Sequence, residues 1–501
     1  MALSDWFRRG AKATAVLPPA RRSMSARYYA AGSSSRLTTS WTTDAASVDD
    51  VTKRDLKTLR ARSREQYRNN DYASRFAQLM RSNIVGPQGV VIQSIVQNPP
   101  AFGGGLDVRV NDGIEAAFQK WARAQNCDRA GRLSWVQMQS LAINSIVQDG
   151  EFLAVMDNAA PTPFGFALRI VDPVRLDVDL SFDTTAGTRV RFGIEYDEFD
   201  RPINYLFRTD VRAENALVFE GKGYERIEAA NVLHVFLPEY VGQRRGFPML
   251  ATALMRLQML GGYEDAAITA ARVGAAKMGF FTSAAGDGYT GTDTDIDGAV
   301  ITDAQPGTFE QLPTGTTFQS FDPDYPHQQF GEFVKACLRG ISAGLGVSYA
   351  SLSNDLEGVN YSSIRSGVLE DRETWKALQT WFVDQFVRPV YEAWLASVVT
   401  RQVPVLDGGT LRLGDIERYQ AASYQPRRWA WVDPLKDTEA NIAAIAAGLK
   451  SRGEVIREQG RDPDDVWREL AAEQVRLTQL GILQPLPTVS ASNDGGANAN
   501  P

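Results

Sequence analysis

Cysteine and histidine are scarce in this chain of 501 residues, which holds two of each. Cys127 and Cys337 exclude a disulfide scaffold and fit a reducing compartment. With His234 and His327 they show no zinc spacing, so no metal is expected. No uninterrupted apolar run is long enough to span a bilayer. The start, Met1-Ala2-Leu3-Ser4-Asp5-Trp6, lacks the apolar core of a signal peptide. What is present is ordinary for a soluble protein: 44% hydrophobic and 23% charged residues, on a length that allows several core-forming units.

The net charge of −7 is unevenly spread. Residues 1–81 carry 16 Lys/Arg against 7 Asp/Glu, leaving 37 against 53 for the remainder. The basic start reads as a solvated helix face plus a disordered arm, in preference to an arm that meets nucleic acid or an acidic partner.

Residues 1–49 lack periodicity and read as a flexible arm. Leu56, Leu59 and Tyr67, then Tyr72, Phe76, Leu79, Met80 and Ile84, predict two helices split at Asn69-Asn70. Ile114–Ala124 and Trp135–Gln148 predict two more, the second capped by Ser134. From Glu151 to Phe236 the period changes to two, predicting strands around 152–156, 167–171, 190–196, 203–207 and 232–236. The fold class is α+β. Gly246–Lys277 predicts a helix reaching roughly 45 Å, and 278–326 a small β-rich module. Val403–Leu406 with Asp407-Gly408-Gly409 reads as strand and turn. Asp437–Leu449 and Pro463–Leu480 read as helices, the latter capped by Asp462. The tail 483–501 is disordered on composition.

Spellings that suggest catalysis fail on context. Gly340-Ile341-Ser342-Ala343-Gly344 matches a nucleophile elbow, but a helical period precedes it and both histidines lie upstream. Gly286–Gly291 matches a dinucleotide fingerprint without a following helix, so it reads as a turn. Asp293–Gly298 copies half a calcium loop, yet position 304 is Ala where a Glu ligand belongs; it reads as an acidic loop. Trp375, Trp381 and Trp394 read as core or intersubunit packing rather than base-stacking platforms. No catalytic or cofactor-binding residue is expected.

The organising stretch is His327 to Val398. Phe330, Phe333, Val334, Cys337, Leu338, Ile341 and Leu345 share one side of a helix; Glu332, Lys335, Arg339 and Ser342 share the other. The run Ser351-Leu352-Ser353-Asn354-Asp355-Leu356-Glu357-Gly358 reads as a loop, because these residues favour turns. A second helical period runs from Tyr361 to Trp394, kinked at Pro389.

With Gly344-Leu345-Gly346-Val347-Ser348-Tyr349 and Asn360-Tyr361-Ser362-Ser363, this arrangement resembles the tailed-phage portal proteins of the lambda type. Arg60–Arg64 with Arg68–Ala73, Gly242-Gln243-Arg244-Arg245-Gly246 and Val432-Asp433-Pro434 resemble the family in the same order. The resemblance implies a flexible arm (1–49), a wing (50–245), a first stem helix (246–277), a clip (278–326) and a second stem helix (327–346). A tunnel loop and kinked wing helix (347–400), a wing return and helical crown (401–482) and a disordered tail (483–501) complete it. The implied function is a ring, a dodecamer in the family, at one capsid vertex, with an axial channel for double-stranded DNA. The implied partners are the terminase large subunit, a head-tail adaptor and the major capsid or scaffold protein. The implied location is the virion, and the host cytoplasm during assembly.

Within that frame Ser353, Asn354, Asp355, Glu357 and Gly358 form a mobile loop in the channel that limits backward slippage of DNA. Glu332, Lys335 and Arg339 line the channel or pair between subunits, pairing with a neighbour's carboxylates being preferred. Phe333, Cys337 and Ile341 pack the stem. An assembly scaffold without a DNA channel, or a soluble α+β hydrolase, remain the alternatives; a perforated ring discriminates the first and a convergent acid–base or metal cluster the second.

Overall fold

The computed structural model describes residues 40, 42, 45–99, 105–184, 187–209, 223–275, 279–283, 316–320, 330–357, 361–406, 409–429, 434–459 and 461–481. The architecture lies in the unit Val48–Pro501 and mixes helices with small antiparallel sheets, an α+β fold. Helix Val48–Asn69 is followed by helix Asp71–Ile84. Asn70 causes the break: its side chain accepts from the backbone N–H groups of Tyr72 and Ala73, both at 3.1 Å, capping the second helix. Helix Val108–Trp121 precedes helix Trp135–Asp149, which starts in a capping box between Ser134 and Gln137.

One sheet has three strands, with Glu151–Asp157 between Ala167–Val171 and Val232–Phe236. The other has five strands in sequence order, Phe182–Asp183, Arg189–Arg191, Ile194–Tyr196, Pro202–Arg208 and Tyr224–Glu228. The alternation from Val190 to Tyr196 predicts a single strand, whereas the chain turns there. Phe192 and Gly193, at φ 54° and 82°, make a two-residue hairpin with Arg191 opposite Ile194. The even spacing of Val190, Phe192, Ile194 and Tyr196 continues across the turn, so alternation alone does not mark it. Leu153, Val155, Ile194, Tyr205 and Phe207 fill a core between the two sheets.

The larger core is aromatic. Phe118 meets Trp394 edge-on at 5.0 Å, and Trp135 lies 5.1 Å from Phe386. Trp375 and Trp394 are buried and Trp381 packs half-buried against the same core. Each fully buried side chain of this kind contributes about 1.5–3 kcal/mol. The helix that carries Trp394 is irregular just before Pro389. Helix Tyr361–Phe382 passes through a π-helical turn, Val383–Val387, into helix Arg388–Thr400. Pro389 has no N–H for the Gln385 carbonyl, and the wider turn, with Arg388 N–H bonded to Val383 O, absorbs the defect one turn earlier.

Helix Leu254–Ala275 begins later than the expected Gly246. Pro248 cannot donate, and Ala251 and Ala253 bond to Pro248 and Leu250 in tight turns before the helix settles. Its 22 residues measure about 33 Å. It packs antiparallel to helix Phe330–Leu345: Thr252 Oγ1 donates to Gly344 O at 2.8 Å, and Tyr263 meets Phe330 and Phe333. Between these helices, strands Gly279–Ser283 and Thr316–Ser320 pair antiparallel. The rest of 278–326, with both motif-like spellings there, and His327 lie outside the described residues.

Past Arg401 the expected strand forms, Pro404–Leu406 pairing with Gly409–Thr410; Asp407 and Gly408 of the expected turn lie outside the described residues. Strand Ala422–Gln425 returns to pair with Val91–Ser94 near the start of the chain. Helix Pro434–Ala446 ends before Gly448, whose φ of 72° closes it, earlier than the expected Leu449. Helix Arg452–Glu458 was not foreseen, although Ser451 and Glu454 form a capping box for it. Asp462 caps helix Pro463–Gln479 as expected, accepting from Asp464 N–H at 2.8 Å.

Candidate functional sites

The stretch after helix Phe330–Leu345 is more ordered than its polar composition suggests. Ser348 caps a short helix, Tyr349–Ser353, so Ser353 ends a helix instead of sitting in the loop. Two features make this helix: Leu352 N–H bonds to Ser348 O at 3.1 Å, and Ser353 Oγ bonds back to Tyr349 O at 2.7 Å. Asn354, at φ 56°, closes it in the left-handed conformation that asparagine tolerates. The loop is then Asn354 to Glu357, with Gly358 outside the described residues.

Two sets of contacts hold this segment. At its base, Asp371 accepts from Ser348 N–H at 3.1 Å and from the hydroxyls of Ser348 and Ser351 at 2.7 and 2.9 Å. Arg75 adds a bond to Ser351 O at 3.3 Å. Nearer the tip, Tyr349 O–H donates to Asp355 at 2.7 Å, and Asp355 accepts from Glu357 N–H at 2.9 Å. Lys335 Nζ donates to Glu357 at 2.9 Å and stands 3.7 Å from Asp355. The Arg339 guanidinium lies over the Tyr349 ring, 5.5 Å from its centre. The bond to Glu357 raises the Lys335 pKa; the Glu357 N–H and the Tyr349 hydroxyl lower that of Asp355.

Within the single chain, the carboxylates that Lys335 meets are Asp355 and Glu357 of its own loop. Glu332 is exposed. Phe333 is 50% exposed and stacks edge-on against Tyr263, Cys337 is half-buried, and Ile341 is fully buried within the single chain. Asp371 was missed, because nothing in its neighbourhood distinguishes one carboxylate on a long helix from a solvated one.

A second site was missed altogether. Glu151 is fully buried and accepts from Arg245 Nε at 3.0 Å and Nη2 at 2.5 Å, from His234 Nε2 at 3.0 Å and from Gly246 N–H at 3.0 Å. Arg60 completes an ion pair at 2.6 Å and donates to Asp149 O at 2.9 Å. Arg64 binds Asp149 and Asp172. Arg245 also donates to the carbonyls of Phe192 and Leu176, so one guanidinium joins both sheets and the lead-in to helix Leu254–Ala275, while Arg60 ties the first helix to the same carboxylate. The backbone is equally tight: a Cβ on Gly246 would stand 2.0 Å from Gly150 O, and Gly150 itself is at φ 85°. The signal was present in Gly242-Gln243-Arg244-Arg245-Gly246, but no local pattern names the partner of a buried arginine 94 residues away.

Burial pushes the Glu151 carboxyl up, but Arg245 and Arg60 outweigh it and hold it well below the usual carboxylate range. Burial pushes His234 down, against the pull of its bond to Glu151. An ionised Glu151 only accepts, so His234 is neutral with its proton on Nε2. The sign of the linkage follows. The unfolded histidine takes a proton near pH 6.5 and the folded one does not, so stability falls as pH drops below about 6.5. The Glu151 contribution, from a depressed pKa, is complete above about 4.5 and is lost only as pH falls through its folded value. In urea titrations at pH 7 and 5 the wild type should therefore lose more stability on acidification than His234→Asn does, by up to about 1.4 kcal/mol per pH unit. A slope unchanged by that substitution would contradict a neutral His234.

Among the described residues no three His, Cys, Asp or Glu groups are placed to hold a metal ion, and no helix is long and apolar enough to cross a membrane. Ser342 of the nucleophile-elbow spelling is buried inside helix Phe330–Leu345.

Comparison with known proteins gives the class. The chain is 34% identical over 457 residues to a probable portal protein of Halomonas phage phiHAP-1, covering 90% of this chain and 86% of that protein. It is 22% identical over 507 residues to portal protein B of Escherichia phage lambda, covering 91% and 90%. Among solved structures it is similar to the neck of an empty GTA particle, with a TM-score of 0.42 and 15% identity over 82% of this chain and 94% of that one. The family model for phage portal proteins of the lambda family matches residues 34–379. The chain belongs to that family, the portal proteins that connect a phage head to its tail.

Proposed function

We propose that twelve copies of this chain close into a ring at one vertex of the capsid, and that the hole carries double-stranded DNA inward during packaging and outward during ejection. The observation that carries this reading is the end-to-end match to portal proteins, spanning 90% of this chain and 86% of the phiHAP-1 protein. The antiparallel helices Leu254–Ala275 and Phe330–Leu345, with a strand pair between them in sequence, support a stem (246–277 and 327–346) and a clip (278–326). The wing is then 50–245 with the helix after the loop, and the crown is the helical part of 401–482.

A subunit repeated around an axis uses two different surfaces, and the ring closes when the rotation fits. Symmetry turns each channel-facing charge into a ring of charge. A conduit must let DNA slide, and an acidic balance beyond residue 81 keeps it from adhering. The clip meets the terminase large subunit during packaging and the head-tail adaptor afterwards; the major capsid or scaffold protein surrounds the ring. Assembly occurs in the host cytoplasm and the ring remains in the virion. The chain is structural; ATP hydrolysis belongs to the motor partner. The loop from Asn354 limits backward slippage of DNA. Mass photometry of the purified protein tests the assembly: twelve chains of 55.1 kDa weigh about 661 kDa, and a monomer as the sole species at micromolar concentration would contradict it.

A further inference from the structure

Both cations on the outer face of helix Phe330–Leu345 are engaged by the segment Tyr349 to Glu357. Lys335 lies on Glu357 and Asp355, and Arg339 lies on the Tyr349 ring. That segment carries two carboxylates, Asp355 and Glu357, against two cations, so the seated arrangement balances in charge. The two sets of contacts differ in permanence. Ser348 and Ser351 are tied to Asp371 by three bonds from part-buried groups, a fixed base. Glu357 is 80% exposed, and an exposed ion pair is weak and readily exchanged for another anion.

We propose that Lys335 is a masked phosphate contact: while the loop is seated, Glu357 and Asp355 of the same chain occupy the lysine, and displacement of the loop frees it for the DNA backbone. This rests on the channel reading above. The device reconciles two demands on the conduit. With the loop seated, the wall offers no net positive charge from this helix and DNA slides. With the tip of the loop pushed aside, every subunit presents one compact ammonium to the phosphates, and the duplex is gripped. The base on Asp371 confines the motion to Asn354–Glu357, so the loop returns to the same partner when the DNA withdraws. Arg339 stays on Tyr349, which the base also holds, and takes no part in the exchange.

The test is a charge cycle on assembled rings, measuring duplex DNA binding against salt concentration for wild type, Glu357→Gln, Lys335→Gln and the double variant. Glu357→Gln removes the nearer of the two masking carboxylates without touching the lysine. It should tighten binding and steepen the slope of log K on log salt by about 0.9 for each lysine that takes a phosphate. The same substitution in the Lys335→Gln background should leave the slope unchanged. If Glu357→Gln raises affinity equally in both backgrounds, the effect is bulk charge and the mask is wrong. If it changes nothing while Lys335→Gln weakens binding, Lys335 is a contact that was never masked, and the proposal also fails. Amine-reactive labelling supplies a readout without DNA: Lys335 should be modified several-fold faster in Glu357→Gln rings than in wild type, and equal rates would overturn the mask. Failure of the channel reading looks different, because no perforated ring would then be available to any of the four proteins.

Discussion

Arg245→Ala is expected to lower folding stability by about 3–5 kcal/mol, since it strands a buried carboxylate. Glu151 is fully enclosed, and Arg245 supplies three of its contacts at 2.5–3.0 Å. With the guanidinium gone, the carboxylate keeps Arg60, His234 and the Gly246 N–H, but the largest opposing charge is lost. The carbonyls of Phe192 and Leu176 lose their donor as well. Glu151→Gln should be comparably costly, because two buried guanidiniums then lack their common counter-charge. Arg245→Lys should not restore stability: an ammonium cannot reproduce a fork shared between a carboxylate and two carbonyls. Denaturant midpoints followed by tryptophan fluorescence measure all three; a midpoint for Arg245→Ala within about 1 kcal/mol of wild type, well below the cost of breaking a buried pair, would remove the cluster from its organising role.

Ile341→Asp should prevent the subunit from folding. The pattern on helix Phe330–Leu345 marks Ile341 as apolar packing, and such a residue could face either a neighbouring subunit or the chain's own core. It is fully buried in the single chain, within the cluster that includes Leu257, Leu338 and Trp375. A carboxylate there has no partner and no water, a loss at the upper end of single substitutions, about 4–5 kcal/mol or more. The expected outcome is insoluble or proteolysed protein. Phe333→Asp, at a position 50% exposed, should leave the subunit folded, with normal circular dichroism. A soluble, folded Ile341→Asp monomer that merely fails to assemble would show that the residue faces a neighbour after all.

These two sites also show what a sequence displays and what it hides. Elements with local causes were legible. Ser134 and Asp462 cap the helices they were expected to cap, and Asn70, where only a break was expected, caps the second helix; in each case the acceptor and the N–H groups it serves lie two or three residues apart. Strands were expected at 152–156, 167–171 and 232–236 and form there, although the central one, Glu151–Asp157, is buried on both faces from Glu151 to Val155. The hairpin at Phe192-Gly193 was hidden because its turn preserves the spacing of the strands on either side. Ser351 to Ser353 resembled a loop by propensity, and tertiary bonds to Asp371 and Arg75 favour a helix there. The Glu151 cluster was invisible for a simpler reason: its members come from positions 60, 151, 234 and 245, and no window of sequence contains them. The pairing of Lys335 with its own loop belongs to the same class, 22 residues apart and across a turn whose path is not written locally.

The claim on which the account rests is that copies of this chain surround an opening. Electron microscopy of the purified assembly, viewed down its axis with and without short duplex DNA, addresses it most directly. The account predicts a closed ring of twelve subunits with a central opening wide enough for the duplex, and DNA density in that opening when it is added. A closed ring with no axial passage, or DNA bound only at the outer rim, would contradict it.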